Sequence, residues 1–158
     1  MNKKIFDVMK TTKVKKLVPF DFSGTTFGVT GPYIANFVHD STYVAMYCYS
    51  STNANANVRL QVDFPEPIGS PMQLWLEFEG QINGYMHNTI LDFYYIDGSY
   101  ESLYIGTVNL GVSLPISTKT KHNKIHAMVC TSRYYNNSGG QSAYAGVELI
   151  PMKQTKWV

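Results

Sequence analysis

The segment from Val58 to Phe78, VRLQVDFPEPIGSPMQLWLEF, commits this chain to a sheet fold. Val58, Leu60 and Val62 alternate with Arg59, Gln61 and Asp63, and Met72, Leu74, Leu76 and Phe78 alternate with Gln73, Trp75, Glu77 and Glu79. A period of two with one polar side is what an antiparallel sheet requires when one side packs on a core and the other meets water. Leu60, Val62, Leu74, Leu76 and Phe78 are therefore expected to be buried, and Arg59, Gln61 and Glu77 exposed. Between the two runs, Pro65, Pro67 and Pro71 lack the N–H that a ladder needs, so residues 65–71 read as a connection and not a strand.

Further alternating runs follow at short intervals, bounded by turn residues. Thr25 to Val29, Tyr33 to Val38 and Thr42 to Ser50 are separated by Thr30-Gly31-Pro32 and His39-Asp40-Ser41. Asn88 to Ile96 and Tyr100 to Asn109 flank Asp97-Gly98, a strong hairpin signal. Lys124 to Ser132 and Ala143 to Ile150 flank the polar loop Asn136 to Gly140, and Asn53 to Asn57 reads as a short polar loop. No segment carries a helical stripe over three turns. Eight or nine strands of this kind predict an all-β, antiparallel β-sandwich or jelly roll.

At 158 residues the chain has the size of one domain able to bury a core without metals or disulfides. Cys48 and Cys130 lie in alternating apolar runs and are expected to be free, buried thiols. Lys3, Lys4, Lys10, Lys13, Lys15 and Lys16 face only Asp7 in the first sixteen residues, while the rest of the chain is mildly acidic. The division predicted is a basic N-terminal arm at 1–20, extended from Lys13 onward, and a single sandwich domain at 21–158 with a short C-terminal tail. The arm is too charged for a core and too apolar to stay idle in water. Lys3, Lys4, Phe6, Met9, Lys13, Lys15 and Lys16, with Trp157 in the tail, are accordingly expected to bind a partner.

The sequence has no nucleophile elbow, zinc spacing, phosphate loop or dinucleotide fingerprint, so neither catalytic residues nor metal ligands nor a cofactor are expected. His122 and His126 lie on a strand-like run, where residues four apart stand about 13 Å from each other. Glu77 and Glu79 read as a solvated face, and Asp40 as a turn former rather than a calcium ligand. Tyr85, His87, Tyr134 and Tyr135, beside Asn136 and Asn137, read as loop aromatics with adjoining amides, the surface a sugar ring uses. Tyr43, Tyr47 and Tyr49 share a strand face opposite Val44, Met46 and Cys48, which predicts a tyrosine stripe suited to an interface. The body is too acidic for nucleic acid, and no apolar run is long enough to span a membrane as a helix.

The order of several motifs resembles the discoidin, or coagulation-factor type C, domains of the galactose-binding-like jelly-roll group. His39-Asp40-Ser41-Thr42 precedes Leu60-Gln61-Val62-Asp63-Phe64, followed by Tyr95-Ile96-Asp97-Gly98-Ser99, then Ile125 to Val129, Asn136 to Gly140 and Val147-Glu148-Leu149-Ile150. The resemblance spans about residues 35 to 150 and implies a jelly-roll scaffold. Ser41 stands where that family has glycine, and Lys124 where it commonly has arginine, so the scaffold is implied without the family's ligand site.

These features give two expectations of function. The first is a non-enzymatic structural or attachment protein of a bacteriophage virion, made in the host cytoplasm without a signal peptide. It would be held by its arm to other virion proteins, as a homo-oligomer or within a larger complex. The second is a carbohydrate-binding module recognising surface glycans through the loop tyrosines Tyr85, Tyr134 and Tyr135.

Overall fold

The computed structural model describes residues 13–81, 83–107, 109–119 and 124–158, and among these every regular element is a strand. In chain order they are β1 (Lys15–Pro19), β2 (Thr26–Thr30), β3 (Ile34–His39), β4 (Val44–Ser50), β5 (Ala54–Gly69), β6 (Met72–Gly80), β7 (Gly84–Tyr95), β8 (Tyr100–Gly106), β9 (Ser113–Ser117), β10 (Lys124–Asn136) and β11 (Ala143–Trp157). They form two antiparallel sheets packed as a sandwich. One runs β3-β4-β11-β6-β9 with β1 also on β11, and the other runs β2-β5-β10-β7-β8.

Alternation places the core as expected. Leu60, Val62, Leu74, Leu76 and Phe78 are all buried, and meet Met128, Cys130, Leu91, Phe93, Val147 and Leu149 from the facing strands. Each such side chain contributes about 1.5–3 kcal/mol by leaving water, and Leu76→Ala would cost about 2–5 kcal/mol because the cavity cannot close. Arg59 is exposed, but Gln61 and Glu77 are half-buried. Both lie on strands flanked on either side, and each is held: the Gln61 amide donates to the Asp63 carboxylate, and Glu77 accepts from the Ser113 hydroxyl. Cys48 and Cys130 are free and buried, one in each sheet, and burial pushes both thiols up to about 12.

Several elements differ from the sequence reading. Pro65 and Pro67 fall inside β5, not in a connection. The pairing of β5 with β10 jumps there from Ala127↔Asp63 to Ile125↔Ile68, so the prolines occupy a bulge where no ladder donor is needed. Residues 54–57 extend β5, and residues 133–136 extend β10 against them. Strand β9, with Pro115 at its centre, carries no alternation strong enough to announce it.

The segment expected to order only against a partner behaves differently in its second half. Residues 15–19 form β1, paired from Lys15↔Trp157 to Pro19↔Lys153, and Val14 and Val158 exchange backbone hydrogen bonds beyond them. Trp157 is therefore the last residue of a strand and not part of a loose tail. Since β6 reaches only as far as Gln154, residues 13–17 and 155–158 form a two-stranded ribbon past the rest of the sheet. Lys3, Lys4, Phe6 and Met9 lie outside the described residues.

Candidate functional site

At one end of the sandwich, polar and aromatic side chains collect on the outer face of the β5-β10-β7 sheet. Alternation sends Ser132, Tyr134 and Asn136 of β10 inward and Arg133 and Tyr135 outward. The registers Tyr135↔Asn55 and Tyr135↔Tyr85 make one row, and Arg133↔Asn57 and Arg133↔His87 make the next. Tyr85 and Tyr135 stack with ring centroids 6.5 Å apart at 29°, and His87 meets Tyr135 edge-on at 5.7 Å. Arg133 Nε donates to Asn55 Oδ1, which fixes the guanidinium beside the stack. A bulge at Asn88, whose φ is 49°, keeps Tyr85 and His87 outward while Leu91, Phe93 and Tyr95 point to the core.

Beside this cluster lies an open depression of about 230 Å³ lined by Tyr33, Asn53, Asn55, Tyr135 and Asn137. Tyr33 is 43% exposed, in a left-handed conformation at φ 66°, and follows a turn that packs tightly on β5. Gly31 makes that packing possible: its φ is 127°, and a Cβ there would stand 2.7 Å from the Asn57 carbonyl oxygen. Asn136 fixes the loops around the depression. Its amide donates to the carbonyls of Ser50, Thr52 and Gln141 at 3.0 Å each, and its Oδ1 accepts from Ser138 N–H at 3.0 Å.

Of the six side chains expected to form a glycan surface, four lie on the outer face or the adjoining loop: Tyr85, His87, Tyr135 and Asn137. Tyr134 and Asn136 are buried, 0% and 1% exposed. The reason is the extension of β10 through residue 136, which imposes alternation on residues that read as loop. Tyr134 Oη instead donates to the Ala143 carbonyl at 2.5 Å. Tyr33, Asn53 and Asn55 were missed; the Thr30-Gly31-Pro32 turn signal before Tyr33 was the available clue.

His87 is held below its ordinary value of 6.5 by burial, then by the charge of Arg133. The imidazole is consequently neutral near pH 7, and its Nε2 has no hydrogen-bond partner among the described residues. The site is thus neutral apart from Arg133: stacked phenol rings and amides suited to holding a polyol by ring contact and hydrogen bonds, beside a neutral imidazole whose Nε2 is shielded from solvent.

The outer face of the other sheet carries a second aromatic surface, which holds Tyr47 and Tyr49 of the expected stripe, while Tyr43 precedes β4 and does not line it. Tyr47 and Tyr49, with Tyr144, Asn36, Glu79 and Gln81, line an open depression of about 480 Å³. Tyr47 lies over Gly146 and donates to Glu148 Oε1; burial, then that bond, raise the phenol well above the usual tyrosine range. Burial, then Glu148 and Glu77, raise the Glu79 carboxyl.

The remaining sequence candidates form no catalytic or metal centre among the described residues. Asp40 Oδ1 accepts from Thr42 N–H and Oγ1–H at 2.6 Å each and from Tyr43 N–H at 3.1 Å, a turn that also lowers its carboxyl, the Thr42 hydroxyl contributing most. His126 is exposed on β10, and His122 lies outside the described residues. No group of three or more His, Cys, Asp or Glu among the described residues is arranged to hold a metal ion. No helix there is long and apolar enough to cross a membrane.

No protein-family model matches the chain, and no curated protein does. Among solved structures it is similar to a family 29 carbohydrate-binding module complexed with mannohexaose, at 6% identity and TM-score 0.44, over 92% of this chain and 93% of that one. It is also similar to the lectin domain of lectinolysin complexed with Lewis b, at 9% identity and TM-score 0.46, over 81% of this chain and 92% of that one. A third is tailspike protein 4 of bacteriophage CBA120, at 15% identity and TM-score 0.36, over 87% of this chain but 20% of that one. Scores and identities this low leave function to be read from the chain's own side chains.

Proposed function

We propose that this chain is a non-catalytic carbohydrate-binding module whose site is the Tyr85–Tyr135 surface and the adjoining Tyr33 depression. The observation that supports this most is the outward row Asn55, Tyr135 and Tyr85, in which a stacked tyrosine pair stands beside amides at the rim of an open depression. A pyranose ring presents C–H groups to an aromatic face and hydroxyls to amides, and this row offers both. A single site of this kind binds in the millimolar to micromolar range, about 4 to 8 kcal/mol.

A glycan array followed by calorimetric titration tests the proposal. Tyr135→Ala and Tyr85→Ala should each weaken binding by about tenfold or more, while Tyr134→Phe should leave it intact. An array without hits, or binding indifferent to Tyr135, would overturn it.

A second reading, a structural component of a bacteriophage particle, is supported by Lys13, Lys15 and Lys16, exposed beside Trp157 on the β1–β11 ribbon. Cosedimentation of the chain with particles, lost in a triple Lys→Glu variant at these positions, tests it.

A further inference from the structure

The outer face of the β4-β11-β6 sheet, opposite the proposed glycan surface, has an order along β11 that can be followed row by row. The central row is apolar: Ile150 pairs with Trp75, and Trp75 with Pro115. One row toward the chain's Tyr144 end lie Glu148 and Glu77, and the next holds Glu79. The third is Tyr49, Tyr144 and Gln81, at the mouth of the 480 Å³ depression. Among the described residues no lysine or arginine occupies these rows.

In the other direction the charge reverses. One row from Ile150 stands Lys153, because the register shift between Pro151 and Lys153 lets one residue drop out of the count. Next comes Thr155 beside Leu17, and the third row is Trp157 beside Lys15, whose Nζ sits 5.2 Å over the indole. Trp157 is 61% exposed and Leu17 47%. Trp157 and Tyr144 thus lie three rows, about 20 Å, on either side of Ile150.

We propose that this face is a self-complementary interface and that its occupant is a second copy of the same chain, related by a two-fold axis through the Trp75–Ile150 row. A rotation about that axis brings Lys153 of each copy over Glu77 and Glu148 of the other. It also brings each Trp157, with Lys15, to the other's depression beside Tyr49, Tyr144 and Glu79. The apolar Trp75, Ile150 and Pro115 meet their own copies at the centre. A pairing of this type closes on itself as a dimer, whereas a head-to-tail contact would propagate. The strip is about 20 Å wide and about 40 Å long, which matches the roughly 800 Å² per partner of a standard interface.

Sedimentation of the full chain across a concentration series, at about 50 mM and about 500 mM salt, tests this. The wild type should form dimers and no larger species, weakening as salt rises. Glu79→Lys, at an exposed position, and Lys15→Glu should each raise the dimer dissociation constant about tenfold or more. An equimolar mixture of the two variants should recover dimer, since each supplies the charge the other has lost. That recovery also shows that both variants are folded. Trp157→Ala should weaken the dimer without a change in salt dependence. A wild type monomeric at about 0.5 mM, growth beyond the dimer, or a mixture no better than its components would overturn the proposal.

Discussion

The ring of Tyr47 covers Gly146 on the neighbouring strand so closely that a Cβ at residue 146 would fall inside the ring's Cδ1 and Cε1 contact distance. The glycine here is a seat for an aromatic side chain and not a turn device. Gly146→Ala should lift the ring, break its hydrogen bond to Glu148 and cost about 1–3 kcal/mol. Gly69→Ala should cost more, because the obstacle there is the backbone carbonyl of Thr155, which cannot rotate aside. Urea unfolding of the two variants gives the order; equal losses would count against it.

Tyr134 separates a structural tyrosine from a ligand-facing one. Tyr134→Phe should lose about 0.5–1.5 kcal/mol through the bond to Ala143, and Tyr134→Ala about 3–5 kcal/mol through the cavity. Glycan affinity of the Phe variant should equal that of the wild type.

Asn136→Ala should release the segments around residues 50–53 and 137–141 together, since one amide serves both. The expected loss is about 1–3 kcal/mol, with faster amide exchange at Ser138 and Gly140. Unchanged exchange at those amides would show that the loops hold their shape without it.

Because His87 has a depressed folded-state value, the unfolded chain takes up a proton near pH 6.5 that the folded chain resists. The stabilisation present above that pH is therefore lost as the pH falls through 6.5 toward the folded value. Thermal unfolding between about pH 7 and about pH 5.5 should show a falling midpoint, and His87→Gln should flatten the slope. An unaltered slope in the variant would assign the effect to another group.

The fold was legible where alternation was long and clean, and Val58–Asp63 with Met72–Glu79 specified the core residue by residue. Strand β9 was hidden because five residues centred on Pro115 need only one neighbour, β6, to hold them. Residues 15–19 were hidden for another reason: their partner, residues 153–157, lies at the far end of the sequence. The candidate site was half legible. Tyr85, His87 and Tyr135 are local signals, whereas the turning-in of Tyr134 and Asn136 depends on β10 running four residues beyond Ser132, which only pairing with its neighbours decides. The turn before Tyr33 is written in the sequence, but the nearness of Tyr33 and Asn53 to Tyr135 is tertiary and no spacing encodes it.

Strand β11 lies between β4 and β6 and also receives β1. During synthesis, all five strands of the β2-β5-β10-β7-β8 sheet leave the ribosome before residues 143–157 do. A nascent chain at that stage can complete one layer, but β4 and β6 still lack the strand that joins them. The inner apolar side of the finished layer then stays uncovered, and β1 has no ladder to enter. Such slow, long-range closure exposes strand edges to other nascent chains, so the yield of folded protein should depend on how quickly residues 143–157 follow the strands already made.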